Sequence, residues 1–295
     1  VEAHLDRLPY RDAVEGARRA GMTLLSQQHA FDRFQINDSD HLLDKQLRDL
    51  YEQHPARLRY DISVQDRSGV GLLEQQLLAE LPLSNRIRLK LNLLNTDISH
   101  LKTGVLGVYT SSIQSAQLGL GYRHSAGTAS LAAGARDALY RYPFALFAGD
   151  LRLDSRLVLD TSLGAGVTAN ETVPLLIGGM KDEATLGVSL QLSARDTVRL
   201  RTALFRFMDQ NRYRLGSGAA VDLEWGHRLT VAWPDFTARL YGGYHDHHAT
   251  GVPIAKTRAL IPKGSKQDDA QFFIPKSFGQ IGAGAAFGQT WKETY

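Results

Sequence analysis

The chain of 295 residues carries 34 basic and 31 acidic side chains, a net charge of +3, and no cysteine. This excludes a disulfide framework and thiol chemistry, and a near balance of charge without a basic run leaves nucleic acid without a footprint. No run of about 18 apolar residues occurs, which excludes a transmembrane helix, but a mean hydropathy of −0.25 is compatible with a membrane barrel, whose apolar residues fall at every second position.

The chain opens at Val1 with neither an initiator methionine nor a signal peptide, as expected for a processed C-terminal piece of a longer protein. Residues 9–54 read as helical. Pro9 stands where a helix can start, and Ala13, Val14, Ala17, Ala20, Leu24 and Leu25 follow helical spacing. A second helix carries Leu43, Leu47 and Leu50, with Asp38, Ser39 and Asp40 as cap candidates and Pro55 as its stop. Two such amphipathic helices match the end of a helical-repeat array, with an ordinary helical hairpin as the alternative. Residues 1–55 are therefore assigned to a helical unit and 56–295 to an all-β unit.

From Ala56 onward apolar and polar residues alternate. Leu58, Tyr60, Ile62 and Val64 share one face of a strand, and Arg57, Arg59, Asp61, Ser63, Gln65 and Arg67 share the other. The pattern returns at Ile87, Leu89, Leu91 and Leu93 against Arg88, Lys90 and Asn92, and at Val221, Leu223 and Trp225 against Asp222 and Glu224. The predicted strands are 56–67, 70–81, 85–95, 115–124, 127–136, 143–153, 156–168, 183–194, 197–208, 212–226, 235–245 and 278–291. Most approach the roughly 9–11 residues that a tilted strand needs to span a bilayer. In a soluble sandwich a second sheet would cover the greasy face; in an antiparallel transmembrane barrel that face meets lipid and the charged face lines a lumen.

Loop lengths favour the barrel. Links after the second, fourth, sixth and eighth strands are short, at 82–84, 125–126, 154–155 and 195–196, and that after the tenth, 226–234, is longer. Links at 96–114, 169–182 and 246–277 are long and fall on the opposite rim. Short turns on one rim and long loops on the other mark outer-membrane barrels. With the helices in the periplasm, the first strand runs outward and every long loop lies outside. Tyr122, Trp225, Trp233 and Phe236 would form the inner aromatic girdle, and Tyr142, Phe144, Phe205, Phe207, Tyr213 and Tyr244 the outer one.

The polar register is the candidate site. Arg59, Arg88, Lys90, Arg123, Arg201, Arg212 and Arg214 fall on it together with Asp222 and Glu224. Guanidinium forks facing a hydrated lumen suit a passing polymer or anion, although the same residues can brace a narrow wall as Arg–carboxylate ladders. The 246–277 loop carries Lys256, Arg258, Lys263, Lys266, Asp268 and Asp269 and is the candidate gate. His245, Asp246, His247 and His248 form the one ligand-like cluster, but His247 and His248 are adjacent and point apart on an extended chain, so neither a metal nor a cofactor is expected. A surface hydrolase pairing a histidine here with Asp246, Asp268 or Asp269 and a general diffusion porin are the alternative readings.

A helical-repeat end joined to a barrel is the layout of bacterial exopolysaccharide exporters. Residues 9–54 followed by Arg57-Leu58-Arg59-Tyr60-Asp61-Ile62-Ser63-Val64 resemble the C-terminal part of the PelB family of Pel exporters, a likeness of overall sequence along essentially the whole chain. The resemblance implies a periplasmic tetratricopeptide (TPR) scaffold and an outer-membrane barrel of 16 strands. It also implies a ring-forming lipoprotein partner (PelC-like) and a periplasmic polysaccharide-modifying enzyme docked on the repeats. The twelve strands read here fall short of that number, so either 96–114 and 251–277 hide more or the chain is cut. Pel is thought to be partly deacetylated and cationic, so a basic lumen would require local acidic stretches or an acidic partner ring. The expected function is export of an exopolysaccharide chain across outer-membrane lipids for a biofilm matrix, without chemistry.

Overall fold

The computed structural model describes residues 9–20, 22–53, 56–84, 86–124, 126–230, 235–267 and 269–287. The expectations placed on Pro55, Ser125, Trp233, Asp268, the side chain of Leu24 and the 288–291 end of the last strand lie outside the described residues.

Three helices come first, α1 Tyr10–Arg19, α2 Thr23–Ile36 and α3 His41–Gln53. The apolar series from Ala13 to Leu25, read as one helix, is split between α1 and α2. The sequence has a glycine at position 21, the residue type that most often ends a helix. Val14, Ala30, Leu43, Leu47 and Leu50 form the helical core, flanked by Phe34. Polar groups buried there have partners: Ser26 Oγ donates to the Val14 carbonyl at 2.8 Å and Gln27 Nε2 to the Leu50 carbonyl at 3.0 Å. Asp40 starts α3 as anticipated, accepting the Leu43 N–H at 3.1 Å, and its carboxylate also meets Arg11 of α1 at 2.7 Å.

The rest is one antiparallel meander in which each strand pairs with its sequence neighbours. The strands are β1 Arg57–Arg67, β2 Val70–Pro82, β3 Ile87–Leu101, β4 Ser112–His124, β5 Gly127–Asp137, β6 Arg141–Arg152, β7 Leu157–Val167, β8 Gly179–Gln191, β9 Asp196–Asp209, β10 Arg214–Thr230, β11 Phe236–Ala249 and β12 Phe278–Phe287. Among the described residues the sheet is open, since β1 pairs only with β2 and β12 only with β11. The two places reserved for further strands hold none. Residues 96–114 are absorbed by a longer β3 and an earlier β4 around a loop at 102–111. Residues 251–277 hold a helix, α5 Ala255–Ala259, and a 3₁₀ turn, Ala270–Phe272.

The alternation orients the sheet. Leu58 and Val64 of β1 are 76% and 77% exposed, while Asp61, Ser63 and Gln65 on the other face are the more covered. Leu118, Leu131, Leu163, Leu204 and Leu223 are likewise exposed on the outer face. In water that arrangement would be inverted; it is the pattern of a wall whose outside is solvated by lipid tails. The long connections sort as expected, though the short ones do not all. Those at 83–86, 125–126, 153–156, 192–195 and 231–235 are short, and the long ones at 102–111, 168–178 and 250–277 share the opposite rim with short turns at 68–69, 138–140 and 210–213.

Those three long loops build the main core of the molecule. Leu106, Ala169, Val173, Leu175, Leu176, Ile177, Leu260, Phe273 and Ile274 from the loops pack with Val70, Leu72, Ile113 and Phe207 from the walls. Leu72 and Ile113 lie on the polar register of β2 and β4, so this core sits on the inner side, at the outer end. Its centre is a short helix, α4 Val173–Gly178, where the Thr172 hydroxyl caps the Leu175 N–H at 3.2 Å and Pro174 occupies the first turn.

Candidate translocation path

Strand register fixes what lines the inner face. Between β2, β3 and β4, Glu80 sits opposite Lys90, and Arg88 and Lys90 both approach its carboxylate at 3.5 Å. Arg123 joins them around a cavity of about 160 Å³ that also holds Arg86, Thr128 and Ser130. Arg59 on β1 pairs with Asp61 at 2.7 Å. Across the sheet, Arg201 stands opposite Asp222 and Arg199 opposite Glu224. Arg199 reaches Asp160 at 3.7 Å, and Arg239 reaches Glu224 at 3.9 Å. Between these groups the inner wall of β5–β7 carries small residues, Ser130, Ala132, Gly134, Ala148 and Ser162, around Leu146 and Phe144 of β6.

The separations at Arg88, Lys90 and Arg199 matter chemically. Partly solvated pairs at 3.5 Å and beyond contribute about 0–1 kcal/mol each. They leave most guanidinium and ammonium N–H donors directed at whatever fills the lumen. These contacts along the wall are therefore weak and of mixed sign.

Seven of the nine anticipated path residues, Arg59, Arg88, Lys90, Arg123, Arg201, Asp222 and Glu224, share this face. Arg212 and Arg214 do not. Arg212 lies in the 210–213 turn with φ of 66°. Arg214 stands opposite Met208 and points its guanidinium at the Ser217 hydroxyl, 3.4 Å away. A β-bulge between Arg214 and Gly216 breaks the alternation and turns Leu215 into the buried core instead. The same physics corrects the outer girdle. Tyr142 and Phe207 are buried, Phe144 stands on the inner register opposite Gly134, and Phe205 packs against the loop core, while Tyr213 and Tyr244 remain exposed.

The 250–277 loop is anchored by residues other than its charges. Lys256 lies 5.1 Å over the Tyr140 ring, and Asp269 caps the 3₁₀ turn by accepting the Gln271 N–H at 2.8 Å. Arg258, Lys263 and Lys266 are exposed. The hold comes from Leu260, Phe273 and Ile274. It is extended by the Gly107 and Val108 N–H groups, which donate to the Leu260 and Ala259 carbonyls at 2.8 Å, and by Thr172 Oγ1, which donates to the Phe273 carbonyl at 2.6 Å. The wall holds α4 as well. Buried Arg136 of β5 donates to Thr168 Oγ1 at 2.9 Å and to the Leu176 carbonyl at 3.2 Å. Lys181 of β8 bridges Glu171 of the loop and Glu183 of the wall, both at 2.8 Å. These anchors were missed in the sequence, although the apolar run Val173-Pro174-Leu175-Leu176-Ile177 inside a loop is a readable signal.

The histidine cluster divides by register. His245 and His247 face inward, Asp246 and His248 outward. His245 Nε2 shares a hydrogen bond with Asp222 at 3.1 Å, while Asp246 accepts from Ser277 Oγ at 2.7 Å. His247 is buried among rings, stacked on Phe205 and Phe278. Among the described residues no group of three or more histidine or acidic side chains is arranged to hold a metal ion.

Comparison with known proteins gives a family. The family described as PelB, C-terminal beta barrel domain, matches residues 52–295. Among solved structures, a bacterial polysaccharide outer membrane secretin is similar at 14% identity with a TM-score of 0.55; the likeness covers 66% of this chain and 64% of that one, under two thirds of its length. The in-vitro folded OmpT, an outer membrane protein of Vibrio cholerae, superposes at 11% identity over 77% of this chain and 94% of that chain, with a TM-score of 0.35. No curated protein matches.

Proposed function

The chain belongs to the PelB C-terminal β-barrel family, and from that premise we propose that it is the outer-membrane conduit through which an exopolysaccharide of the Pel type leaves the cell. The observation that carries the reading is the two-faced wall: exposed leucines outside, and loosely paired arginines, lysine and carboxylates inside. Many weak contacts let a long chain enter and leave, whereas one tight site would stall it. The barrel performs no chemistry in this reading, and His245 serves Asp222 rather than a hydrolytic centre.

The remaining parts of the proposal follow from the family resemblance. α1–α3 are the last helices of a periplasmic TPR scaffold. Among the described residues β1 and β12 each have one unpaired ladder edge, where further strands would complete a sixteen-strand barrel. A PelC-like lipoprotein ring and a polysaccharide-modifying enzyme are the periplasmic partners. The loop core at the outer end is the gate.

The test is secreted polymer per assembled barrel in cells making the polysaccharide. Single changes such as Arg88→Ala or Arg201→Ala lower secretion modestly; combining Arg59, Arg88, Arg199 and Arg201 lowers it strongly. A combined variant that assembles and secretes at the parental rate defeats the proposal.

A further inference from the structure

The inner wall of β10–β12 carries a feature that electrostatics leaves unexplained. Tyr241 and Phe278 lie on the inner register and are 45% and 44% exposed. Other rings on the inner register, Tyr142, Phe144, Phe205 and Phe207, are more covered; Tyr241 and Phe278 instead leave apolar surface in water, at a cost of about 25 cal/mol per Å². The local backbone is arranged around them. The Tyr241 ring lies over its cross-strand partner Gly282, where a Cβ would overlap the ring. In the next inward row the Asp222 carboxylate lies over Gly243, again where a Cβ would collide. That carboxylate is steadied by His245 Nε2 at 3.1 Å and by Gln280 Nε2 at 3.3 Å. One row further, His245 stacks on Phe278 with centroids 4.7 Å apart and planes at 14°. Tyr241 and Phe278 are thus four residues apart along the wall, about 13 Å at strand rise, with an oriented carboxylate and amide between them.

Glycine weakens strands, so its presence at the positions the ring and carboxylate cover points to close approach as its use. A flat strip of ring, carboxylate, amide and ring is poorly suited to an ion. It suits a polyhydroxylated pyranose chain. The negative face of each ring attracts sugar C–H groups, and the groups between take hydroxyls. Arg199, Arg201 and Glu224 border the same cavity, about 260 Å³, as Tyr241, Asp222 and Gln280, so one ring and several hydrogen-bonding groups converge there.

We propose that Tyr241, Asp222, Gln280 and Phe278 form a saccharide-binding strip that takes neutral pyranose rings by stacking, beside the charged track. The proposal deepens the export reading and rests on it for the biological ligand, but binding itself is measured apart from export. The full chain in detergent is titrated with fluorescently labelled maltohexaose and cellohexaose, neutral α- and β-linked chains. At least one binds. Tyr241→Ala weakens that binding about three- to tenfold, the scale of one aromatic contact, and Tyr241→Phe keeps it within about twofold. Gly282→Ala keeps the tyrosine but pushes its ring off the wall, and weakens binding as Tyr241→Ala does. It also keeps the question answerable if Tyr241→Ala fails to assemble. Binding of neither sugar, equal affinity in Tyr241→Ala and the parent, or full affinity in Gly282→Ala each overturns the strip. The export reading fails separately, through the secretion of the arginine variants.

Discussion

Substituting Leu118 by arginine tests the orientation of the whole sheet. Leu118 is in the middle of β4, opposite Leu91 and Ala133, and is 56% exposed on the outer face. On a soluble protein an arginine at so open a site would be neutral within about 0.5 kcal/mol. Here six residues separate Leu118 from either end of β4, Ser112 and His124, about 20 Å along the strand at 3.4 Å per residue. With a tilt near 45° that is roughly 14 Å of depth, close to the midplane of a hydrocarbon layer about 25–30 Å thick. Arginine at that depth costs about 2–4 kcal/mol, roughly 30- to 900-fold in the folding equilibrium. The neighbouring Gln117 faces Asn92 and Gly134 on the inner register, and Gln117→Arg is expected to change stability by under about 1 kcal/mol. The assay is reversible denaturant unfolding of the full chain in lipid vesicles. Equal losses for the two variants, or a neutral Leu118→Arg, would refute the facing assignment.

Removal of the Arg136 side chain strips two bonds from the α4 loop and leaves the Leu176 carbonyl and Thr168 hydroxyl without that partner. A loss of about 1–3 kcal/mol is expected, seen as faster hydrogen exchange over 168–178 with the strands unchanged; protection equal to the parent's would show that the bonds carry nothing. Deleting 251–270 removes Leu260 from the loop core and is expected to raise planar-bilayer conductance severalfold; unchanged conductance would mean the loops do not obstruct the lumen. Asp40 is held below the usual carboxylate range by the Leu43 N–H first and Arg11 as well. A depressed folded-state pKa gives stability that is present above the unfolded value and lost as pH falls through the folded one. Protection of α1 and α3 amides should therefore persist through mildly acidic pH and fall only below about 4; loss already at pH about 6 would contradict it.

Most of the wall was legible because a period of two survives any tertiary detail. Leu58 to Val64 and Leu186 to Leu190 needed only their alternation to be placed, and the strand starts at Val70, Gly127 and Phe278 agree with the structure. Reading failed where the backbone departs from that period. The bulge beside Leu215 reversed the side of Arg214, and another between Gly164 and Val167 moved Val167 opposite inward-facing Lys181. It failed again where long-range packing overrides local polarity. The 246–277 loop was read by its lysines, yet Leu260, Phe273 and Ile274 hold it, and they can be recognised only once Leu175 and Leu72 are seen beside them. Tyr241 carried no signal because its partner, Gly282, is a neighbour only across the ladder.

The loop core also sets an order of events. Val70 near the start of the sheet and Ile274 near its end belong to one apolar cluster, together with residues from three different hairpins. Contacts so distant along the chain form slowly, since the intervening segments must be placed before closing them is rewarded. Hairpins can zip one after another, each by local pairing, while Leu106, Leu175 and Leu260 wait for one another. The meeting of the three loops therefore requires that β2 through β11 are all in place.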